Sequence, residues 1–215
     1  MPPSAAVTAK LRAVNDGGFT IESDATSSDV TAAVVTHSVY VRVAADEEYR
    51  AYYGSTNWKT FVDSIVESAD DYLYQLYGID FVVQNYYATW DTADAGRSSC
   101  TIVNELKAEV PKSTFDMVLG FAKNSMPGSK GCHSGGWTVV GWHNSGNSPD
   151  ERYAEWTVQR HEIGHNYGAP DRYPDTANVH PNDLMENQYT EPNYLCTKAG
   201  YDDYFIIYSN SDLHD

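Results

Sequence analysis

Basic residues are scarce in this chain. Lysine and arginine number 14 against 30 aspartates and glutamates, for a formal charge of −16. A surface of that sign repels phosphate backbones and anionic headgroups, which argues against nucleic acid and membrane surfaces as partners. No apolar run approaches the roughly eighteen residues that cross a bilayer. Cysteine is also sparse. Cys100, Cys132 and Cys196 contain no C-x-x-C pair, which argues against a thiolate zinc site. An odd count allows one disulfide and one thiol. Cys132 and Cys196 fall in loop-like segments and are expected to pair, and Cys100, in an apolar helical stretch, is expected to be the buried thiol. Residues 1–13 lack the charged-then-apolar pattern of a leader. Two expectations follow: a secreted chain whose leader has been removed, or a cytoplasmic one.

What is present is enough for one core. The chain has 215 residues, 41% of them hydrophobic, which suits a single domain and no obligatory oligomer; a monomer is expected. Residues 1–32 are rich in Ala, Ser, Thr and Asp, without periodicity, and read as a flexible tail or pro-segment remnant. Residues 33–215 read as one domain, regular to about 168 and irregular from 169. Val34 to Val43 reads as a strand. Trp58, Phe61, Val62, Ile65, Ala69, Tyr72, Leu73 and Leu76 form one helical stripe that Gly78 stops. Ile79 to Tyr87 reads as a strand, Ser99 to Val110 as a helix ended by Pro111, and Phe115 to Ala122 as a strand. This alternation predicts an α/β (mixed) fold with a largely parallel sheet and helices packed on it. After a glycine-rich loop, Pro127 to Gly136, the segment Trp137 to His143 reads as an edge strand or hairpin. Ser148-Pro149-Asp150-Glu151 starts a further helix.

That helix carries His161-Glu162-Ile163-Gly164-His165. Histidines at i and i+4 lie about 6 Å apart on one helix face, so their imidazoles can converge on one ion. Glu162 projects beside the ion, where it can hold a metal-bound water and take its proton. His-Glu-x-x-His arises by chance in about one chain of this size in a hundred. Gly168 and Asp171, each at a three-residue step beyond His165, cut that expectation by roughly another two hundredfold. Gly168 suits the left-handed conformation that ends a helix abruptly. The chain can then return and present Asp171 as a third, oxygen ligand. His180 and Glu186 are the alternatives for that third place. His133 and His143 read as surface residues, and Tyr167 and Tyr173 as packing residues that stand near the site in sequence.

The stretch 161–171, HEIGHNYGAPD, resembles the extended zinc signature of the metzincin metallopeptidases, and its closing aspartate resembles the snapalysin branch of small secreted bacterial proteases. The resemblance implies Zn2+ held by His161, His165 and Asp171, with Glu162 as general base. It implies that Met185 forms a tight turn beneath the metal. It further implies a twisted, mostly parallel sheet with an antiparallel edge strand, two packing helices, an active-site helix and a small irregular C-terminal part. The activity implied is that of an endopeptidase acting on extended protein or peptide substrates. Such a peptide can add as a strand along 137–142, with Gly136, Trp137, Thr138, Val139 and Val140 as its expected contacts. A tyrosine two residues after the methionine, found in some metzincins, is replaced here by Asn187.

Two rival functions remain at this level. A catalytically silent zinc-binding or adhesion module would tend to lose the acid at position 162, which is present. A hydrolase of small amides would need a closed pocket. Structural Ca2+ is open as a second ion: Asp46, Glu47 and Glu48, or Asp202 and Asp203, are acidic but lack the spacing of a calcium loop. The expectation for them is a solvated charged surface.

Overall fold

The structure, a computed structural model, describes residues 14–15, 18–19, 36–83, 85–92, 98–123, 130–141 and 151–171, together with Met185, Ile207 and Asn210. The chain divides into two units, Met1–Val35 and Thr36–Asp215. In the first, β1 (Val14–Asn15) and β2 (Gly18–Phe19) form a short antiparallel pair.

In the second unit the order is β3 (His37–Ala45), α1 (Glu47–Tyr53), α2 (Asn57–Tyr77), β4 (Ile79–Val82), β5 (Tyr87–Thr89), α3 (Ser99–Glu109), β6 (Met117–Ala122), β7 (Gly131–Ser134), β8 (Trp137–Gly141) and α4 (Glu151–Asn166). The strands form one sheet in the order β4-β3-β6-β8-β7, with β5 also paired to β3. All pairs are parallel except β7 with β8. A mixed α/β fold with a mostly parallel sheet is therefore what the chain adopts. No described helix is long and apolar enough to cross a membrane.

The central strands are buried on both faces, as a parallel sheet between helices requires. Every residue of β6 is buried. Val118, Ala122, Ala44 and Val139 pack with Ile102, Val103 and Leu106 of α3. Contact there is close: a Cβ on Gly120 would stand 2.5 Å from a Leu106 methyl. On the other face Val41, Val43, Met117, Leu119, Phe121 and Thr138 are buried, and Thr138 meets α4 through Gln159.

Three expectations are corrected here. Ile79 to Tyr87 is two strands, not one, because Asn85 takes a positive φ of 60° between them. The segment 131–134, expected in a loop, is a strand. Gly135 and Gly136, at φ 58° and 93°, turn it back onto β8; positive φ at both central residues is the two-residue turn that matches strand twist. Helix α1 was hidden by its shortness. Its cap is Asp46, whose carboxylate accepts from the Tyr49 N–H at 2.7 Å. Asp46 is fully buried, not part of a solvated acidic surface. Burial is the main reason its pKa rises to about 6.

Candidate metal centre

Helix α4 is built to bury polar groups. Glu155, Gln159, Arg160, His161 and Glu162 are all buried, which demands partners. Tyr49 Oη donates to Glu155 Oε2 at 2.7 Å. Gln159 Nε2 donates to Thr138 Oγ1 at 2.6 Å. Arg160 reaches back to α2, donating to the carbonyls of Ala69 (3.1 Å) and Ser68 (2.8 Å). These bonds fix the rotation of the helix before any metal is considered. At its end, Gly136 N–H donates to Asn166 Oδ1 at 3.1 Å.

The helix stops as a Schellman motif. Gly168 has φ 89°, its N–H donates to the His165 carbonyl at 2.9 Å, and the Ala169 N–H donates to the Gly164 carbonyl at 3.1 Å. The turn has a second effect. It brings the Ala169 carbonyl to 2.7 Å from His165 Nδ1. A carbonyl only accepts, so Nδ1 carries the proton and Nε2 presents its lone pair. Sequence reasoning missed this contact, since backbone carbonyls carry no residue signal.

Past the stop, Asp171 returns to the histidines. His161 Nε2 lies 3.2 Å from Asp171 Oδ1, His165 Nε2 lies 3.4 Å from the same oxygen, and the two Nε2 atoms lie 3.1 Å apart. A tetrahedral zinc ion with bonds near 2.0–2.1 Å holds its ligand atoms about 3.3–3.4 Å apart. The donor atoms and their spacing fit that ion. The His161 hydrogen bond is the largest cause holding the Asp171 carboxyl below its ordinary pKa, and the neighbouring histidines add to it. Burial, and then the proximity of His161, lowers the pKa of His165. Both shifts favour the forms that bind a metal.

Glu162 sits beside this triangle, buried against strand β7. A Cβ at Gly131 would stand 2.6 Å from Glu162 Oε1 and 2.7 Å from its Cγ; only glycine leaves room for the carboxylate. Two residues along the same strand, His133 stacks on His165, with ring centroids 4.5 Å apart and planes at 26°. Its Nδ1 is 3.7 Å from Glu162 Oε2. The expectation that His133 is merely a surface residue is thus corrected. A Gly-x-His step on a strand places positions 131 and 133 on one face, a signal the sequence carried.

Met185 is fully buried and lies against Gly164 within the signature. Tyr167 is fully buried as well. The positions of His143, Tyr173, His180, Glu186, Asn187 and Cys196 lie outside the described residues.

Residues 35–212 match the family described as Reprolysin_5, Metallo-peptidase family M12. The chain belongs to metallopeptidase family M12. This M12 chain is similar in structure to archaemetzincin from Methanopyrus kandleri, with a TM-score of 0.55 and 16% identity over 81% of this chain and 96% of that one. It is also similar to a protein in a structure titled as a chaperone-substrate complex, at TM-score 0.54 and 11% identity, over 83% of this chain but 35% of that one. Those likenesses show a shared fold. No curated protein matches the M12 chain.

Two further expectations are corrected. The disulfide joins Cys100 to Cys132, not Cys132 to Cys196. Cys100 opens α3, which packs on the β7–β8 hairpin, so the two sulfurs face each other across that contact. Of the two readings of 137–143, the hairpin holds and the edge strand does not: among the described residues the edge on that side is β7. Both edges of β8 are paired, to β6 and to β7, and Thr138, Val139 and Val140 are buried. Those residues, with Trp137, cannot offer backbone groups to a substrate strand, and the Gly136 N–H is already bonded to Asn166.

Proposed function

We propose that this M12 chain is a zinc-dependent endopeptidase of the metzincin type. The observation that carries the reading is the triangle of His161 Nε2, His165 Nε2 and Asp171 Oδ1 with the buried Glu162 carboxylate alongside. His161, His165 and Asp171 would hold the zinc. When bound, zinc supplies a Lewis acid that polarises the scissile carbonyl and acidifies water. Glu162 takes a proton from the attacking water as its oxygen bonds to the carbonyl carbon. The C–N bond then breaks, and Glu162 returns the proton to the departing amine. The Ala169 carbonyl keeps His165 in the binding tautomer throughout.

An extended peptide is the proposed substrate, and the outer edge of β7 is the surface for it. Among the described residues, β7 pairs with β8 only, and its Gly131 and His133 adjoin Glu162. A peptide that adds there as a strand brings its backbone past the general base. The Cys100–Cys132 bond supports a secreted location, since such bonds persist in oxidising compartments.

The test is digestion of casein by the purified protein, with metal content measured alongside. Zinc near one equivalent, loss of cleavage with a chelator and return with zinc are expected. Glu162→Gln is expected to retain zinc and lose about 10²–10⁴-fold in rate. Full activity in Glu162→Gln, or cleavage indifferent to chelation, would sink the reading. Zinc retention with no cleavage by the parent would favour a silent binding module.

A further inference from the structure

The three residues Gly131, Cys132 and His133 divide their work between the two faces of β7. Side chains alternate along a strand. Cys132 points to α3 and is bonded to Cys100 there. Gly131 and His133 point the other way, to α4. Gly131 makes room for the Glu162 carboxylate, and His133 lies over His165. The disulfide holds the strand, and the stacking holds the imidazole, while the His133 side chain stays 38% exposed.

His133 Nδ1 and Glu162 Oε2 are 3.7 Å apart, too far for a direct hydrogen bond. One oxygen atom at about 2.8 Å from each would fit between them, with an angle of about 80° at that oxygen. We infer that His133 is a second catalytic residue: its Nδ1–H and the Glu162 carboxylate together cradle the oxygen of the attacking water and then the oxygen it becomes in the tetrahedral species. The pair is chemically complementary. The imidazole N–H donates to an oxygen lone pair while the carboxylate accepts the water proton. The electron pair released as that O–H bond breaks is the one that attacks the carbonyl carbon. Such a donor acts by orientation: it holds the attacking oxygen against its base, and a misplacement of about 1 Å at a reacting group costs roughly 10²-fold in rate. This inference rests on the peptidase reading above.

The experiment separates stacking from donation. H133F keeps an aromatic ring over His165 and has no donor; H133N has a donor on a shorter arm. Kinetics on a fluorogenic peptide, zinc content, and calorimetric binding of a phosphinic peptide are measured for all three proteins. The phosphinic oxygens mimic the tetrahedral species. With H133F, zinc content is expected to stay at the parent value and KM within about threefold. Its kcat should fall about 10²-fold, with a matching loss in phosphinic-peptide affinity, and H133N should recover about tenfold of each. H133F with parental kcat and parental phosphinic affinity overturns the inference. So does loss of zinc in H133F, which would make His133 a support for the ligands, or loss of a second bound zinc, which would make it a ligand. If no protein cleaves peptide, the endopeptidase reading has failed, and the phosphinic affinities still decide the cradle.

Discussion

Met185 fills the space where a side chain on Gly164 would be: a Cβ there would stand 2.5 Å from its sulfur and 3.4 Å from its terminal methyl. The glycine lies between the two histidines of the signature, so the methionine braces the helix under the metal triangle. Overpacking costs about 1–3 kcal/mol, whereas Gly→Ala in a helix gains up to about 1 kcal/mol. Gly164→Ala is therefore expected to destabilise the parent. In a Met185→Ala background, where the sulfur is gone, the same change is expected to stabilise. Urea unfolding of the four proteins measures the cycle, and equal effects in both backgrounds would show that the contact carries no energy.

Gly131→Ala places a methyl group against Glu162 Oε1, Glu162 Cγ and Val158. The carboxylate must move, and a displacement of about 1 Å at a reacting group costs roughly 10²-fold in rate. Peptide hydrolysis is expected to fall by about that factor while zinc content stays constant. An unchanged kcat would mean that the general base tolerates a shift.

In the proposed zinc site Asp171 sets the charge, because two neutral imidazoles would leave it as the only anionic ligand of the three. Replacing it with histidine makes the bound ion a stronger Lewis acid and its water more acidic. Asp171→His is expected to retain zinc and move the rising limb of the pH–activity curve to lower pH. Asp171→Ala, which removes the ligand, is expected to weaken zinc binding by at least about 100-fold in competition with a chromophoric chelator.

The disulfide closes a 32-residue separation between α3 and β7. Loop-closure entropy for that length corresponds to about 3–4 kcal/mol. The double substitution Cys100→Ser with Cys132→Ser is expected to lose that much in unfolding experiments. Activity should fall with it, because β7 carries Gly131 and His133. Mass spectrometry of the unreduced protein checks the pairing directly: a peptide joining Cys132 to Cys196 would contradict it.

Asp70 links a buried carboxyl to pH. It is 4% exposed and accepts from the Phe81 N–H at 2.9 Å. Burial, set against that hydrogen bond and helped by the nearby Glu67, Asp80 and Asp71 charges, raises its pKa to about 7. The unfolded chain, with an ordinary value near 4, releases the proton first. Stability must then fall as pH rises from about 4 to about 7, and level off above. Asp70→Asn keeps the acceptor and removes the charge. In chelator, the variant is expected to unfold at higher urea than the parent at pH 8 and to match it near pH 4–5. Asp46, raised to about 6, adds a slope of the same sign that both proteins share. A parent whose stability rises from pH 5 to 8 more steeply than the variant's would contradict the Asp70 assignment.

The sequence by itself determined the features that depend on neighbours along the chain. The helical stripe from Trp58 onward, its stop at Gly78 (φ 73°) and the strand–helix alternation are matters of period and of local backbone freedom. So are the spacing of His161 and His165 on α4 and the left-handed stop at Gly168. Tertiary structure decided the rest, because those features depend on which distant surfaces meet. Cys100 pairs with Cys132 only because α3 packs on the β7–β8 hairpin. β8 is interior because β7 folds back beyond it through Gly135 and Gly136. Asp46 is buried because it caps α1 and accepts from the Lys123 N–H at the end of β6. The deepest difference lies at the signature itself. The meeting of His161, His165 and Asp171 follows from an eleven-residue pattern, but what surrounds them does not. Met185 under Gly164 and His133 over His165 come from segments some 20 and 30 residues away, brought there by packing that no local period encodes.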